Sequence, residues 1–362
     1  MVRILHIVTY MGRGGLETML MNYYRHIDRS QLQFDFLVHR GFKADYDDEI
    51  LSLGGRIHRI SRLIPWSASY RKTLTAFFRT HPEYRIVHVH QDCLSSVALQ
   101  CAQEAGVPIR IAHSHNAGQS LNLKYLIKRF YMKQIPRYAT DLFACSKAAG
   151  DWMFGGAPYK LIANAIDVNA YIPSPAVRQQ YRQQLHLGTG PVIGHVGRFH
   201  PVKNHSFLLD VFREVVNLAP DARLLLVGDG PLRQQMEETV AALHLQDHVI
   251  FTGVRTDVAG LMQAMDVFCF PSVHEGLPVT LIEAQSAGLP CLVSDQVSAE
   301  CRVTEGLVEQ FSLTLSPAQW AEKLLQLLSV PRADHSAEIV QSGYDIHSAT
   351  HALQLEYLSR EV

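Results

Sequence analysis

The stretch PVIGHVGRFHPVKNHSFLLDVFREVVNLAPDARLLLVGDG, residues 191–230, decides the fold. It begins with a short apolar run, continues with apolar residues at every third or fourth position, and ends in a second apolar run followed by glycines. Continuous valine, isoleucine and leucine runs are typical of parallel strands buried on both faces, and the middle segment has the period of an amphipathic helix. The stretch therefore predicts a strand–helix–strand unit of a parallel sheet.

The same alternation extends over the rest of the chain. Before the unit come the strand-like runs RILHIVTY, FDFLVH, RIVHVH, IRIAHSH and LFACS, and after it come VIFTG, VFCFPS and PCLVS. A polar stretch with prolines and glycines lies between residues 165 and 190. We predict an α/β fold of two Rossmann-like, doubly wound parallel-sheet domains facing across a cleft. Their limits are residues 1–170 and 171–342, and a C-terminal helix within residues 343–362 could pack back on the first domain.

Composition indicates a globular protein of two domains. The 362 residues are 47% hydrophobic and 19% charged, and no apolar run reaches the ~18 residues of a membrane span. The N-terminal MVRILHIVTY lacks the features of a secretory signal, so we expect a cytoplasmic protein. The six cysteines are scattered without a C-x-x-C pair, which favours buried free thiols.

Charge is distributed unevenly along the chain. Residues 1–170 hold 21 lysines and arginines against 13 acidic residues, whereas residues 171–362 hold 12 against 21. Residues 51–150 carry most of the basic excess, with 14 basic and 4 acidic side chains. This excess indicates either an anionic partner or an ordinary solvated basic face.

A glycine-rich turn, YMGRGGLE, follows the first predicted strand. Gly12, Gly14 and Gly15 either let backbone N–H groups approach a phosphate at a helix N-terminus or simply form a turn. Glu17 occupies the third glycine position of a dinucleotide fingerprint, and the next strand ends without the carboxylate that binds a ribose. NAD binding is therefore disfavoured.

Two stretches of the second domain point to an anionic ligand. Gly197, Arg198 and Lys203 follow a predicted strand, and two cations beside flexible backbone suit a diphosphate. The later turn VGDGP is interpreted as structural.

In HEGLPVTLIEAQSAGLP, residues 274–290, a helix is predicted to start near Pro278, with Glu275 before it and Glu283 inside it. The N–H groups of Gly276 and Leu277 would bind an anion there. Because two carboxylates would repel a phosphate unless they bind hydroxyl groups, the pattern predicts a nucleotide diphosphate sugar.

These motifs resemble those of the retaining glycosyltransferases of family 4, which have the GT-B fold. The resemblance rests on E-x7-E within FPSVHEGLPVTLIEAQSAGLP and on GHVGRFHPVKNH, VGDGP and FTGVRTDV, with GRGGLE, HSHNAG, ACSKAAGDWMFG and ANAIDVNAYIP in the first half. The subset it resembles most acts in bacterial exopolysaccharide and capsule biosynthesis.

The resemblance implies a role for each matching residue. Arg198 and Lys203 would hold the distal phosphate, Glu283 the ribose and Glu275 the transferred sugar, with His115 near the sugar C6 hydroxyl and the reacting centre. The implied catalytic residues are Glu275, His115, Arg198 and Lys203. The implied donor-binding residues are Gly14, Gly15, Gly197, Arg198, Lys203, Gly253, Val254, Glu275, Gly276, Leu277 and Glu283.

The chain departs from the family pattern at two places. Asn204 follows Lys203 where the family commonly has glycine. QVSAECRVTEG stands where many members carry a Gly-Gly-x-x-Glu turn, so that Glu300 could replace the family's acid.

Nineteen histidines include the pairs His88/His90 and His113/His115, each of which could start a metal site because positions two apart share a strand face. The sequence indicates no third ligand, and the Asp-x-Asp pattern in DYDDE, residues 45–49, is interpreted as solvated surface. We expect neither a metal nor another cofactor.

LKYLIKRFYMKQIPR places Lys124, Lys128, Lys133 and Arg137 on approximately one helical face, with Leu126 and Phe130 elsewhere. Such a helix could seek a membrane or could pack its apolar side on a sheet. The resemblance favours peripheral contact with the cytoplasmic face of a membrane, because many relatives extend saccharides on polyprenyl diphosphate.

The expected function is transfer of a hexose, with retention, from a nucleotide diphosphate sugar such as a UDP-sugar to a saccharide acceptor. The expected partners are the donor and an acceptor carried on polyprenyl diphosphate, with no nucleic acid among them. Two alternatives stay open: a GT-B sugar epimerase or phosphorylase, and a non-catalytic nucleotide-sugar binding protein.

Overall fold

The computed structural model describes residues 1–116, 118, 123–275 and 277–360. The chain forms two compact units: Met1–Ala165 together with Ile346–Val362, and Ile166–Asp345. Each unit has a wholly parallel sheet with helices packed against it, which confirms the predicted α/β class and the Rossmann-like architecture.

Seven strands form the sheet of the first unit, in the order β3-β2-β1-β4-β5-β6-β7, and all neighbours are parallel. The strands are β1 (Val2–Ile7), β2 (Leu32–Val38), β3 (Ile57–Arg59), β4 (Ile86–Val89), β5 (Ile109–Ser114), β6 (Asp141–Ala144) and β7 (Lys160–Leu161). The helices are α1 (Gly15–His26), α2 (Asp47–Ser52), α3 (Ala68–Thr80), α4 (Ser95–Glu104), α5 (Leu123–Met132), α6 (Ile135–Tyr138) and α7 (Lys147–Phe154). Every residue of β2 and β4 is buried, since separate apolar clusters cover the two faces of the sheet.

Six strands form the sheet of the second unit, in the order β10-β9-β8-β11-β12-β13, again all parallel. The strands are β8 (Val192–Val196), β9 (Arg223–Val227), β10 (Val249–Gly253), β11 (Val267–Phe270), β12 (Cys291–Ser294) and β13 (Val308–Phe311). The helices are α8 (Pro175–Gln184), α9 (His205–Leu218), α10 (Arg233–Ala242), α11 (Val258–Ala264), α12 (Val279–Ser286), α13 (Pro317–Leu327) and α14 (Ser336–Gln341). The opening stretch thus forms β8, α9 and β9, as predicted.

The last helix, α15 (Ile346–Leu358), belongs to the first unit. It packs on α1, and its Leu353 and Tyr357 lie in the apolar cluster that contains Phe34. Arg360, just after the helix, pairs with Asp141 at 2.5 Å. The chain therefore returns to the first sheet after it has completed the second.

Each sheet has one point where the strand order reverses: between β1 and β4 in the first unit, and between β8 and β11 in the second. In open parallel sheets, ligands bind outside the carboxyl ends of the strands at this point, where the loops diverge. The residues that follow these strands are therefore the first candidates for a site.

Candidate functional site

The loop after β8 carries the two cations predicted to bind a diphosphate. Arg198 is exposed, and Lys203 ends a short 3-10 helix. The next residue, Asn204, has a left-handed backbone with φ 55°, and its amide donates to the carbonyl of Pro271 at 3.1 Å. This conformation explains how asparagine can replace the family's glycine, because asparagine tolerates the left-handed region better than most residues.

The glycines after β9 hold this loop by close packing. A Cβ on Gly228 would lie 2.2 Å from the carbonyl oxygen of Gly197, and one on Gly230 would lie 2.5 Å from that of Phe199. The N–H of Phe199 donates to the carbonyl of Asp229 at 3.0 Å. The VGDGP turn thus has a structural role in positioning the cation-bearing loop, in agreement with its interpretation from sequence.

Lys203 and Glu275 form an ion pair in the second unit. Lys203 Nζ lies 2.7 Å from Glu275 Oε1 and 4.6 Å from the centroid of the Phe270 ring. The two side chains are only 18% and 19% exposed, so little water screens the pair. A diphosphate that binds Lys203 must share this ammonium group with Glu275.

The helix predicted near Pro278 begins one residue later. Pro278 has an extended backbone with ψ 123° and is the N-cap, so the first helical N–H groups are those of Val279 and Thr280. Leu277 is buried just before the cap, while Gly276 lies outside the described residues. The anion-binding role of Gly276 and Leu277 therefore stays a prediction.

Glu283 is a buried carboxylate inside α12. Its Oε1 accepts a hydrogen bond of 2.7 Å from the hydroxyl of Tyr171, and the side-chain amide of Gln263 holds the Tyr171 carbonyl at 2.9 Å. Burial raises the pKa of Glu283, and the hydrogen bond from Tyr171 opposes that rise. Sequence analysis missed Tyr171, although it lies in the quoted ANAIDVNAYIP motif.

Gly253 ends β10, and Val254 follows it. Gly253 has φ 69°, and its carbonyl accepts the N–H of Gly228 at 2.9 Å. Val254 is 52% exposed, beside an ion pair of 2.6 Å between Arg255 and Asp257. This arrangement offers backbone groups and an apolar side chain, which suit the planar ring of a nucleotide base. The assignment of Gly253 and Val254 to the donor site stays a prediction.

The QVSAECRVTEG segment is held by Gln285, a residue that sequence analysis did not single out. The Gln285 side-chain oxygen accepts the N–H groups of Val303 and Thr304 at 2.9 and 3.0 Å. Glu300 is exposed, and its N–H bonds the Ser298 hydroxyl at 3.3 Å. Whether Glu300 replaces the family's acid is still a prediction.

The glycine-rich turn of the first unit leads directly into α1. A Cβ on Gly12 would lie 2.4 Å from the Tyr10 ring, and one on Gly14 would lie 2.3 Å from Glu17 Oε2. At Gly15, by contrast, a Cβ would have no neighbour within 4 Å in the described chain. The Glu17 carboxylate thus folds back over the start of α1, where a phosphate would have to displace it.

Five histidines gather at the carboxyl ends of β1, β4 and β5. His115 Nε2 lies 2.9 Å from His90 Nδ1, and His90 Nε2 lies 3.0 Å from His6 Nδ1. His113 Nδ1 lies 3.2 Å from His88 Nε2. The structure thus joins the two H-x-H pairs because β4 and β5 are neighbours, and it adds His6 from β1.

Burial keeps these rings neutral. Desolvation lowers the pKa of His6 and of His115 to about 3, and it lowers the pKa values of His88, His90 and His113 well below the usual 6.5. His115, the predicted cleft histidine, can therefore donate and accept hydrogen bonds near neutral pH without carrying charge.

The DYDDE segment is not uniformly solvated, contrary to prediction. Asp47 is buried, accepts the N–H of Ala44 at 3.1 Å and pairs with Arg59 at 2.5 Å. Asp48 does lie at the surface, where it pairs with Lys43 at 2.7 Å. Asp47 is buried because it caps the turn before α2 and neutralises a cation from β3.

The predicted basic helix is divided in two. α5 ends at Met132 and Arg137 belongs to the separate α6, so the basic residues do not share one helical face; the Lys124 side chain lies outside the described atoms. Leu126 and Phe130 are each 63% exposed on α5. Throughout the described ranges, the helices are too short or too polar to cross a membrane.

Comparison with known proteins identifies the family. The model described as Glycosyltransferase Family 4 matches residues 13–170, and that described as Glycosyl transferases group 1 matches residues 190–330. The putative glycosyltransferase EpsF of Bacillus subtilis (strain 168) is 35% identical over 97% of this chain and 95% of its own length.

Two further proteins extend the comparison. The UDP-Gal:alpha-D-GlcNAc-diphosphoundecaprenol alpha-1,3-galactosyltransferase of Escherichia coli is 27% identical over 61% of this chain and 60% of its own length. The crystal structure of Anabaena HepE in complex with UDP and glucose superposes with a TM-score of 0.82 at 20% identity, covering 99% of this chain and all of HepE. This chain belongs to the glycosyltransferases of family 4, with the two Rossmann-like units of the GT-B fold.

Proposed function

We propose that the protein is a retaining hexosyltransferase that uses a nucleotide diphosphate sugar, preferentially a UDP-hexose. Its acceptor would be a saccharide hydroxyl in exopolysaccharide or capsule biosynthesis, on a chain carried by polyprenyl diphosphate. The UDP and glucose in the HepE structure support the donor class. The name of the Escherichia coli relative, which specifies UDP-Gal and a diphosphoundecaprenol acceptor, supports both the donor and the lipid carrier.

The Lys203–Glu275 ion pair is the observation that carries this proposal. It places a cation and a carboxylate 2.7 Å apart, in the loops after β8 and β11, and the second of these loops leads directly into α12, which carries the buried Glu283. Lys203 and Arg198 would hold the distal phosphate, while Glu275 would bind hydroxyl groups of the transferred sugar. A carboxylate this close to a phosphate-binding cation is explained if the ligand presents phosphate to one and hydroxyls to the other.

The leaving diphosphate gains negative charge as the glycosidic bond to it breaks. Arg198, Lys203 and the first N–H groups of α12 would stabilise that charge, and Lys203 would act from a largely buried position, where preorganised charges act most strongly. This scheme requires no metal ion. Retention would follow from attack by the acceptor on the face that the diphosphate leaves, with a phosphate oxygen accepting the acceptor's proton.

Other residues would position the two ends of the donor. Glu283, held by Tyr171, would accept hydrogen bonds from the ribose hydroxyls, and the end of β10 at Gly253 and Val254 would contact the base. Gly276 and Leu277 would approach the phosphates through their backbone. Hydrogen bonds from a ligand to a preoriented carboxylate are stronger than those between neutral groups.

The first unit would contribute backbone and a neutral imidazole. Gly15, whose Cβ position is open, and Gly14 would let α1 approach the diphosphate. His115 would hydrogen-bond the sugar near C6 as an uncharged ring. The exposed Leu126 and Phe130 on α5 support peripheral contact with the cytoplasmic face of a membrane.

A donor screen tests the proposal. We expect UDP or a UDP-hexose to raise the melting temperature of the protein, and GDP- and ADP-sugars not to do so. A ligand at 100 times its Kd stabilises the folded protein by about 2.7 kcal/mol, which a thermal shift detects. Lys203→Ala should abolish the shift. No shift with any nucleotide would overturn the donor-site assignment.

Product analysis separates the proposed transfer from its rivals. With a lipid-linked saccharide acceptor, NMR should show a new glycosidic bond with the anomeric configuration of the donor. Turnover of the donor without acceptor would indicate an epimerase, and turnover only with phosphate would indicate a phosphorylase. Binding without any turnover, unaffected by Glu275→Ala, would indicate a binding protein.

A further inference from the structure

We propose that His90, His113 and His115 of the first unit bind one transition-metal ion of the Zn²⁺ class. Each can offer one ring nitrogen, and these three nitrogens lie within 4.8 Å of one another. The site uses none of the residues of the second unit assigned to the donor, but it includes His115, which is also proposed to contact the sugar. It concerns binding alone and stands whether or not the chain transfers sugar.

The hydrogen bonds determine which nitrogens are available. If His90 donates from Nε2 to His6 Nδ1 (3.0 Å), its Nδ1 lone pair is directed away from His6. If His113 donates from Nδ1 to His88 Nε2 (3.2 Å), its Nε2 lone pair is free. His113 Nε2 is in fact buried without a hydrogen-bond partner in the described part of the chain, which is costly unless a ligand satisfies it.

The spacing of the nitrogens is close to that of a zinc site. His90 Nδ1 and His115 Nε2 are 2.9 Å apart, whereas two nitrogens at about 2.0–2.1 Å from a tetrahedral Zn²⁺ are separated by about 3.3 Å. A metal could therefore replace the hydrogen bond between these two rings after a movement of a few tenths of an ångström. The proton of that hydrogen bond would pass to His115 Nδ1 or to solvent.

A second layer of residues supports the proposed ligands. In these tautomers His6 would accept from His90 and His88 from His113, and the Tyr357 hydroxyl lies 2.6 Å from His88 Nδ1. Such outer contacts fix the tautomer and orientation of metal-bound imidazoles. The chain of contacts from His113 to α15 fixes the ring planes in the absence of metal.

The chemistry of the cluster selects the class of metal. Neutral imidazoles prefer Zn²⁺, Ni²⁺, Co²⁺ and Cu²⁺, whereas Mg²⁺ and Ca²⁺ prefer oxygen ligands. Three imidazoles leave a fourth coordination position for water or another ligand.

Access favours this trio over a second one. His6, His88 and His90 also bring ligand nitrogens within 4.8 Å, but all three are fully buried. His115 is only partly buried and follows the end of β5, so it is the most exposed ligand of the two trios. The two trios share His90.

Calorimetry and Co²⁺ spectroscopy of the full chain test the proposal. We expect one Zn²⁺ per chain, unaffected by excess Mg²⁺, and intense visible absorption bands when Co²⁺ is bound, as tetrahedral coordination requires. His115→Gln, at the partly buried ligand, should raise the Kd for Zn²⁺ more than about tenfold and abolish the Co²⁺ bands.

His351→Gln is the matched control, because His351 is exposed on α15 of the same unit. It should leave both readouts unchanged. A second ligand variant, His113→Gln, is interpreted only after its circular dichroism matches that of the parent protein. Absence of saturable Zn²⁺ binding, or equal binding by the parent and His115→Gln, would overturn the proposed site.

Discussion

At the scale of single residues, the bond between Tyr171 and Glu283 shows how a hydrogen bond counteracts the effect of burial on the pKa of a carboxylate. Burial favours the protonated acid, and the Tyr171 hydroxyl opposes this by donating to the ionised form. The motif spacing from sequence located Glu283 but not its partner, which lies 112 positions earlier in the chain. Contacts at such separation depend on the packing of α12 against the segment that carries Tyr171.

Tyr171→Phe should therefore weaken UDP binding. Without the hydroxyl, the pKa of Glu283 rises, so that the loss of UDP affinity on acidification should begin at a higher pH than in the parent protein. The orphaned buried carboxylate should also lower the free energy of unfolding by about 1–3 kcal/mol. Isothermal titration calorimetry with UDP between pH 5.5 and 8 measures the first effect.

Tyr84→Phe is the matched control, since it removes a hydroxyl that donates to the buried Asp35 at 2.9 Å in the other unit. It should also lower stability, although Asp35 keeps its ion pair with Arg3, and it should leave UDP affinity unchanged. Equal UDP affinity in Tyr171→Phe and the parent at every pH would contradict the ribose assignment of Glu283.

Glu275 and Glu283 should respond differently to loss of charge. Glu275→Gln keeps the side-chain volume but frees Lys203 from its ion pair, so UDP should bind as tightly as before or more tightly. Transfer should fall by roughly 100-fold, the effect of removing one contact that acts in the transition state. Glu283→Gln should instead raise the Kd for UDP. Initial rates at saturating donor and calorimetry with UDP distinguish the two effects. The reversed pattern would show that Glu283 acts on the transferred sugar and Glu275 on the nucleotide.

At the scale of elements, the loop after β8 depends on the loop after β9. Gly228 combines a φ of 135° with a Cβ position only 2.2 Å from the Gly197 carbonyl oxygen, so alanine there is both strained and in collision with backbone. We expect Gly228→Ala to destabilise the second unit by more than about 3 kcal/mol and to weaken UDP binding, because the loop of Arg198 and Lys203 must shift. Urea unfolding and calorimetry with UDP measure both effects.

Gly188→Ala is the control for Gly228→Ala, because it introduces backbone strain without a steric clash. Gly188 also has a positive φ, 67°, but a Cβ there would meet no atom within 4 Å among the residues described. It should cost about 1 kcal/mol, the strain alone, and leave UDP affinity intact. Equal effects of the two substitutions would show that the close approach to Gly197 does not position the loop.

Sequence patterns predicted the long buried elements and missed the short edge ones. The runs that became β8 and β9 are continuously apolar because both faces are covered, which is a local signal. By contrast β3, β7 and β13 have only two to four residues, none of them fully buried, so their sequences carry little periodicity. The end of α12 has a local signal too, since Gly288, two residues after the helix, has the left-handed φ of 66° that favours glycine.

At the scale of the whole molecule, the buried histidines couple stability to pH. His6, His88, His90 and His113 are buried in the first unit, and His195 and His205 are buried in the second. The H-x-H spacing in the sequence showed pairs of histidines, but their assembly depends on which strands become neighbours in the sheet. The fold thus turns scattered histidines into two neutral groups that resist protonation.

Acidification should therefore unfold the protein well above the pH at which most carboxylates titrate. Because burial lowers the pKa values of these histidines in the folded protein, the unfolded chain binds protons that the folded chain does not as pH falls below about 6.5. For the four histidines of the first unit, this should reduce the free energy of unfolding by about 5 kcal/mol between pH 7 and pH 5.5. That loss is comparable to the whole stability of many domains. Urea unfolding at the two pH values, with proton uptake measured in parallel, tests this, and a free energy that is equal at both would show that the cluster is already protonated in the folded protein.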